Sequence, residues 1–453
     1  MANADQLRES GYRLLEENRL SEALAVLEEA IRIAPGDLLA RLLIGRLFLR
    51  LQEPAAAQKH FQRILKKMPA SEPAKSGLVD AALARGHVDE AERLANQMLA
   101  LSPRSETGLF AAARVAEMQC AFEKALAKFD ELVRAAPDNP NHRYHRSRVL
   151  LRLGRFAEGW RDYEFRFAAG AARIPAIPTE RWSGAQVGHL LLVSEQGLGD
   201  TIQFARFIPL ARRRADKLTL ACPNTLAPLI ARSFGVATVD VESSSWPEHN
   251  QHLPLLSLPH VLALGDQALA PTARYLQPDP ATAADWAPDL ASHPAHLRVG
   301  VVHATSVAHA TEQRPQTRRS CLPADLAPLG EMAGIDLIDL QIGSTLPAPW
   351  QRLHRDLSNF DDSTAVIDSL DVLLSVDTAA AHVAGGLGKP LLLLLPFAAD
   401  WRWMQQPSRT DWYSSAQLFR QAVPGNWSDP IARAAEVIRS QAEAKRVAHA
   451  AHP

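Results

Sequence analysis

Four prolines in the first third of the chain, Pro35, Pro69, Pro103 and Pro137, recur at an interval of 34 residues, and four alanines, Ala23, Ala57, Ala91 and Ala125, keep the same interval. A unit of that length cannot bury its apolar face alone, so it must stack on its neighbours in a quasi-one-dimensional array. Twelve residues before each alanine stands Gly11, Gly45, Val79 or Ala113, and four after it Leu27, Phe61, Ala95 or Phe129. This reads as a helix-turn-helix unit. The small residue lets the first helix approach the second, the alanine does so from the other side, and proline ends the second helix because it has no N–H for the ladder.

The register resembles the tetratricopeptide pattern, four repeats covering residues 4–139 and a degenerate fifth following with Leu150, Gly154, Gly159 and Tyr163 in compatible positions. Such a superhelix presents a concave surface. Two uses fit it: a scaffold or oligomerisation surface, or a grip on a protein or peptide client. Arg41, Lys75, Arg114, Arg143 and Arg146 are the candidate lining residues.

At 453 residues the chain exceeds a single core, and 47% hydrophobic with 22% charged residues is an ordinary globular composition. Lys plus Arg number 49 against 50 Asp plus Glu, so no global field draws in nucleic acid or an anionic membrane. Cys120, Cys222 and Cys321 are isolated, which argues against a disulfide framework or zinc knuckle and for a reducing compartment. The start lacks a basic segment followed by an apolar one, and the longest apolar run, Leu391–Leu395, is far short of the ~20 residues that span a bilayer. The expectation is a cytoplasmic protein.

From His189 the period changes to alternating strand and helix, the signature of an α/β architecture. Strand His189–Val193 runs into Ser194-Glu-Gln-Gly-Leu-Gly-Asp200 and then a helix expected over Thr201–Arg214. Gly197 and Gly199 place backbone N–H groups and a helix start at the carboxyl edge of a sheet, where ligands bind in open α/β folds. Asp200 fits either a helix cap or a general base. A second α/β unit begins at Leu297–Val302 and continues through Ile335–Leu340. Its richest segment is one βαβ unit: Ser375-Val-Asp-Thr-Ala-Ala-Ala-His382, then Gly385, Gly386, Gly388, Lys389 and strand Leu391–Leu395. Thr378 and the first helical N–H groups, Ala379 among them, are candidates for a diphosphate. His382, one turn on, is a candidate for the same ligand. Helix cap and satisfied buried histidine are the plainer readings of Asp377-Thr378 and His382. A P-loop is excluded because no Ser or Thr follows Lys389. Asp361-Asp362 precedes a helix and reads as its cap.

Glu195–Arg206, Ser375–Pro390 and Asp400-Trp-Arg-Trp403 with Trp412-Tyr413 and Leu418–Gln421 resemble bacterial tetratricopeptide proteins carrying a heptosyltransferase-like domain of glycosyltransferase family 9 and its relatives. The resemblance covers nearly the whole chain. It implies an α plus α/β chain, an all-α tetratricopeptide superhelix followed by a GT-B module of two Rossmann-like domains. The boundaries expected are 1–167 for the repeats, 168–187 for a linker anchored by Trp182, 188–290 for the acceptor domain and 291–453 for the donor domain with its terminal helix. It also implies inverting, metal-independent transfer from a nucleotide sugar, which is a co-substrate and not a cofactor; no Asp-x-Asp pair stands at a strand end. Asp200 matches the proposed base, and Asp377, Thr378 and His382 match the donor-binding run.

The chain departs from the family where Trp-x-Gly-Asn-Pro becomes His303-Ala-Thr-Ser-Val307 and Asp-Arg-x-Arg-Ser becomes Gln316-Thr-Arg-Arg319-Ser320. Arg319 and Ser320 remain as phosphate contacts. The expected function is therefore transfer of a sugar to a protein or surface-glycan acceptor recruited by the repeats, with Arg319, His382 or Lys389 stabilising the leaving diphosphate. The alternative is an inactive tetratricopeptide adaptor that keeps the transferase fold.

Overall fold

The structure, a computed structural model, describes residues 3–243, 245–265, 274–305, 319–343 and 350–451. The chain divides into two compact units, Met1–Val149 and Leu150–Pro453.

The first unit is a run of antiparallel-connected helices, each packed on the next: α1 (Ala4–Glu16), α2 (Leu20–Ile33), α3 (Leu38–Arg50), α4 (Pro54–Lys67), α5 (Glu72–Ala84), α6 (Val88–Leu101), α7 (Glu106–Met118), α8 (Phe122–Ala135) and α9 (Pro140–Arg152), which runs on into the second unit. Each marker proline follows the C-cap of an even-numbered helix, at Ala34, Met68, Ser102 and Ala136. Ala23, Ala57, Ala91 and Ala125 are fully buried. The close approach is steric: a Cβ on Gly45 or Gly77 would fall 2.5 Å from the Phe61 ring, and one on Gly11 would fall 2.5 Å from Leu27. Phe61 is thus a wedge held from both sides.

Two further ladders of the same period govern the turns. Asn3, Asp37 and Ser105 cap their helices by accepting the N–H three residues on, and Ser71 and Asn139 hold the same register. Between the helices of each pair, Asn18, Gln52, Gly86, Cys120 and Gly154 adopt positive φ of 57–79°. The N–H after each of these closes a bond to a carbonyl five residues back, as in Arg19 to Leu14 and Arg155 to Leu150, both 2.9 Å. The ladder carries the fifth repeat to α10 (Phe156–Tyr163).

In the second unit α10 is followed by β1 (Glu180–Arg181), β2 (Val187–Val193), α11 (Leu198–Ala205), α12 (Ile208–Arg212), β3 (Ala215–Cys222), α13 (Ala227–Phe234), β4 (Ala237–Asp240), β5 (Gln251–Pro254), α14 (Leu258–Val261) and α15 (Pro280–Trp286). Then come β6 (Leu297–Val302), α16 (Ala327–Gly330), β7 (Ile335–Asp339), β8 (Gln351–Arg352), α17 (Phe360–Ser369), β9 (Val372–Val376), α18 (Ala379–Leu387), β10 (Leu391–Leu395), β11 (Ala416–Arg420) and α19 (Ser428–Ala451).

Two sheets form, ordered β1-β5-β2-β3-β4 and β11-β10-β9-β6-β7-β8, and the ladders between their strands are parallel. β9 and β10 are buried along their whole length, as parallel strands covered on both faces must be. α19 covers the second sheet with Ile431, Ala434, Ile438 and Ala442 packed on Val299, Leu374 and Leu394.

Three expectations are corrected. The segment 168–187 is not wholly a linker: Glu180–Arg181 pairs with β5, and buried Trp182 donates its backbone N–H to the His252 carbonyl at 2.8 Å. The helix expected over 201–214 starts earlier and breaks at Arg206–Phe207, just before Pro209, into α11 and α12. The cap of α17 is Asn359, while Asp362 lies in the first turn and accepts from the Trp286 indole at 2.9 Å.

Phe61→Ala removes the wedge shared by two glycines and is expected to cost about 3–5 kcal/mol. The urea midpoint of the full chain, followed by far-UV circular dichroism, checks this; a loss below about 1 kcal/mol would refute the shared-wedge packing.

Candidate functional site

Both sheets reverse strand order at one place. In the first, β3 and β4 lie on one side of β2 and β5 on the other; in the second, β7 and β8 lie on one side of β6 and β9 on the other. The carboxyl ends at these switch points carry Ser194–Asp200 after β2, His303–Thr305 after β6 and Asp377-Thr378 after β9. Such points open a crevice between the diverging connections.

Gly197 is the N-cap of α11, and its N–H donates to Asp200 Oδ2 at 2.9 Å. The capping reading of Asp200 is therefore present, but it uses one oxygen only. The other oxygen pairs with the Arg402 guanidinium. Upstream, buried Glu195 holds Arg166 through both oxygens at 2.6 and 3.0 Å and accepts the Leu256 N–H, which fixes the start of the turn.

On the second sheet, Thr378 caps α18 from an extended backbone without a side-chain cap bond, its hydroxyl lying 3.0 Å from Ser375 Oγ. Among the described residues, no side chain is seen to cap the first-turn amides of α18. Asp377 is buried, 3.6 Å from Arg319, and its carboxyl is pushed up to about 6. Burial is the main cause and the Asp400 carboxylate adds to it, against Arg319 and Arg402.

The two turns meet. A Cβ on Gly199 would fall 2.8 Å from His382 Cδ2 and 3.4 Å from Ala379 Cα, so α11 rests on α18 at the one residue without a side chain. Arg402 spans the junction, donating from Nε to Gln203 Oε1 at 3.1 Å, from Nη1 to Asp400 at 2.8 Å and from Nη2 to Asp200, with its plane 4.4 Å over Trp401. Asp200, Asp377 and Asp400 thus share one locality with Arg402 and Arg319.

Ser320 Oγ accepts the Thr305 N–H at 3.1 Å, which ties 319–321 to the carboxyl end of β6 beside Asp377. Val307 and Gln316, part of the departure from the family pattern, lie outside the described residues. Beyond β7 a cavity of about 430 Å³ is walled by Asp339, Gln341, Arg352, His354 and Arg355. Gln341 joins it to the β6 end by accepting the Ala304 N–H at 2.9 Å.

Two candidates are displaced. Lys389 follows the C-terminal end of α18, about 13 Å along the helix from Thr378, where its ammonium donates to the Asp368 carbonyl at 2.8 Å. Adjacency in the βαβ run hid this separation. His382 is buried with Nδ1 2.9 Å from the Tyr413 hydroxyl and its ring stacked on Trp403 at 5.4 Å. Burial and nearby Arg402 push it down to about 3, so it is neutral and offers no positive charge to an anion. Likewise Gly385 and Gly386 admit Tyr413 and Leu276, whose atoms a Cβ would meet at 2.4 and 2.6 Å. The proposed lining residues Arg41 and Arg143 bond the Pro35 and Pro137 carbonyls, and Arg114 and Arg146 pair with Asp80 and Asp130.

Residue-by-residue reading missed Arg402, although Asp400-Trp-Arg-Trp403 stood out as a motif. The signal available was an arginine between two tryptophans, a composition suited to a desolvated cation. Among the described residues, no cluster of three or more His, Cys, Asp or Glu has the arrangement of a metal site, and no helix is long and apolar enough to cross a membrane.

The tetratricopeptide-repeat family matches residues 14–66, 51–108 and 121–164. The N-terminal helices are tetratricopeptide repeats. Protein FlbA of Caulobacter vibrioides is 29% identical over 356 residues, covering 70% of this chain and 58% of that protein, so the match spans little more than half its length. A thermophilic tetratricopeptide protein of Thermus thermophilus is 20% identical with a TM-score of 0.34, covering 37% of this chain and 97% of its own. A tetratricopeptide protein from Parabacteroides merdae is 15% identical with a TM-score of 0.28, covering 37% and 67%.

Because the folded carboxyl of Asp377 lies above its usual value, its ionisation opposes folding: the contribution is complete below the unfolded pKa of 3.8 and is lost as pH rises through about 6. Asp377→Asn is therefore expected to stabilise the chain by up to about 3 kcal/mol at pH 7.5, a gain that vanishes near pH 4. Urea midpoints at the two pH values check it; a destabilised variant at pH 7.5 would contradict it.

Proposed function

We propose that the chain is an inverting glycosyltransferase that moves a sugar from a nucleotide-sugar donor to a protein or surface-glycan acceptor recruited by the repeats. The observation that carries this reading is the meeting of two switch-point turns, one bearing Asp200 and the other Asp377 and Thr378, with Arg319 and Ser320 beside the second. Two parallel α/β sheets with facing switch points are what a GT-B enzyme needs, and the sequence resemblance to family 9 points the same way.

The chemistry runs as one displacement. Asp200 takes the proton of the acceptor hydroxyl as its oxygen attacks the anomeric carbon, and the bond from that carbon to the diphosphate oxygen breaks. Negative charge then grows on the leaving diphosphate. The first turn of α18, Thr378, Ser320 and Arg319 receive it, with the helix dipole adding to the attraction. Asp377 is ionised above about pH 6, and Arg319 at 3.6 Å offsets its charge beside the diphosphate. The cavity past Gln341 suits the nucleoside. The route needs no metal, in keeping with the family resembled.

One observation favours a second reading, an inactive adaptor. Asp200 already has one oxygen on Arg402 and the other on the Gly197 N–H, so both are engaged within the fold.

Calorimetry against a panel of nucleotide sugars separates the two. One donor is expected to bind with a dissociation constant below about 1 mM, worth roughly 4 kcal/mol. Arg319→Ala should weaken it about tenfold, the size of one charge-assisted contact. Asp200→Asn should bind within twofold of wild type yet lose transfer. Absence of any donor binding would remove the transferase reading, and undiminished transfer by Asp200→Asn would remove Asp200 from it.

A further inference from the structure

The repeat period assigns the slot of Leu27, Phe61, Ala95 and Phe129 to Tyr163 in the fifth unit, and the alanine slot to Gly159. The four earlier residues are buried. Tyr163 is buried too, but it alone carries a hydroxyl, and that hydroxyl lies 3.0 Å from the Gln196 side-chain nitrogen. Gln196 opens the Gly197–Asp200 turn and adopts φ of +60°, a left-handed conformation that glycine would take more readily. Being exposed, Gln196 has no need of a protein partner. The bond serves the turn.

The same helix touches the other end of the Asp200–Arg402 pair. Trp401 lies between the Arg402 guanidinium, 4.4 Å from its ring, and the α10 aromatics, with Trp160 edge-on at 5.6 Å and Tyr163 at 5.8 Å. Trp160 also meets Phe204 of α11 at 5.8 Å. Two routes therefore run from one helix to one ion pair: Tyr163 through Gln196 to Asp200, and Trp160 with Tyr163 through Trp401 to Arg402. A helix that merely closed the array would need neither a hydroxyl aimed at the turn nor a tryptophan against both flanking elements.

We infer that the last repeat is part of the site, Tyr163 being a positioning residue for the Asp200 turn and Trp160 for Arg402. The catalytic meaning of this rests on the transferase reading; the positioning does not.

Tyr163→Phe in the full chain tests it, since the ring and its edge-on contact with Trp401 remain. Hydrogen exchange without ligand is expected to quicken at least fivefold at the amides of 196–200 and to stay unchanged in α2–α8. Gln196→Leu should give the same pattern, and the double variant should be no worse than either single one. With a donor that turns over, kcat should fall about tenfold while donor KM stays within twofold. Exchange at 196–200 equal to wild type, or quickened throughout the second unit, would overturn the inference, the latter by making Tyr163 a fold residue. A wild-type chain inert toward all nucleotide sugars would end the transferase reading and leave the exchange result to decide this one.

Discussion

The guanidinium of Arg402 is the tie on which the site depends. It is buried, and stripping water from an arginine is costly unless every donor finds an acceptor. Asp200, Asp400 and Gln203 supply them, and the Trp401 face covers the plane. Asp200 and Gln203 belong to α11 of the first sheet, whereas Arg402 and Asp400 follow β10 of the second. One desolvated cation thus holds two separately built sheets in a fixed relation.

The close rest of α11 on α18 at Gly199 is the steric counterpart of that electrostatic tie. His382, neutral and bonded to Tyr413, acts there as a flat packing element. Arg206 reinforces the junction: its guanidinium sits 5.2–5.4 Å from the rings of Tyr275, Trp412 and Tyr413 and donates to the Trp412 carbonyl at 2.7 Å. In the transferase reading, Arg319, Ser320, Thr378 and the α18 amides act on the ligand together with Asp200.

Much of this was legible. The period of 34 residues follows from helix packing, because Ala23, Gly45 and Phe61 are chosen by local sterics that repeat with the fold. The apolar runs Leu297–Val302 and Leu391–Leu395 read directly as buried parallel strands. The cap and left-handed-turn ladders were also present in the sequence, yet Gln52 and Cys120 occupy positions where glycine is the expected signal, which disguised them. What sequence could not give was direction along a helix. Lys389 and Thr378 are neighbours in one βαβ run but stand at opposite ends of α18. Nor could it show that Glu180–Arg181 is a strand, since two residues carry no alternation to detect. The part played by Arg402 depends on a partner 202 residues away, beyond any local pattern.

A crystal structure of the full chain soaked with a nucleoside diphosphate addresses the facing switch points most directly. The diphosphate is expected against the Thr378–Ala380 amides and Arg319, with the nucleoside in the cavity past Gln341. Density for the ligand on any other surface, with the crevice between Asp200 and Asp377 empty, would contradict it.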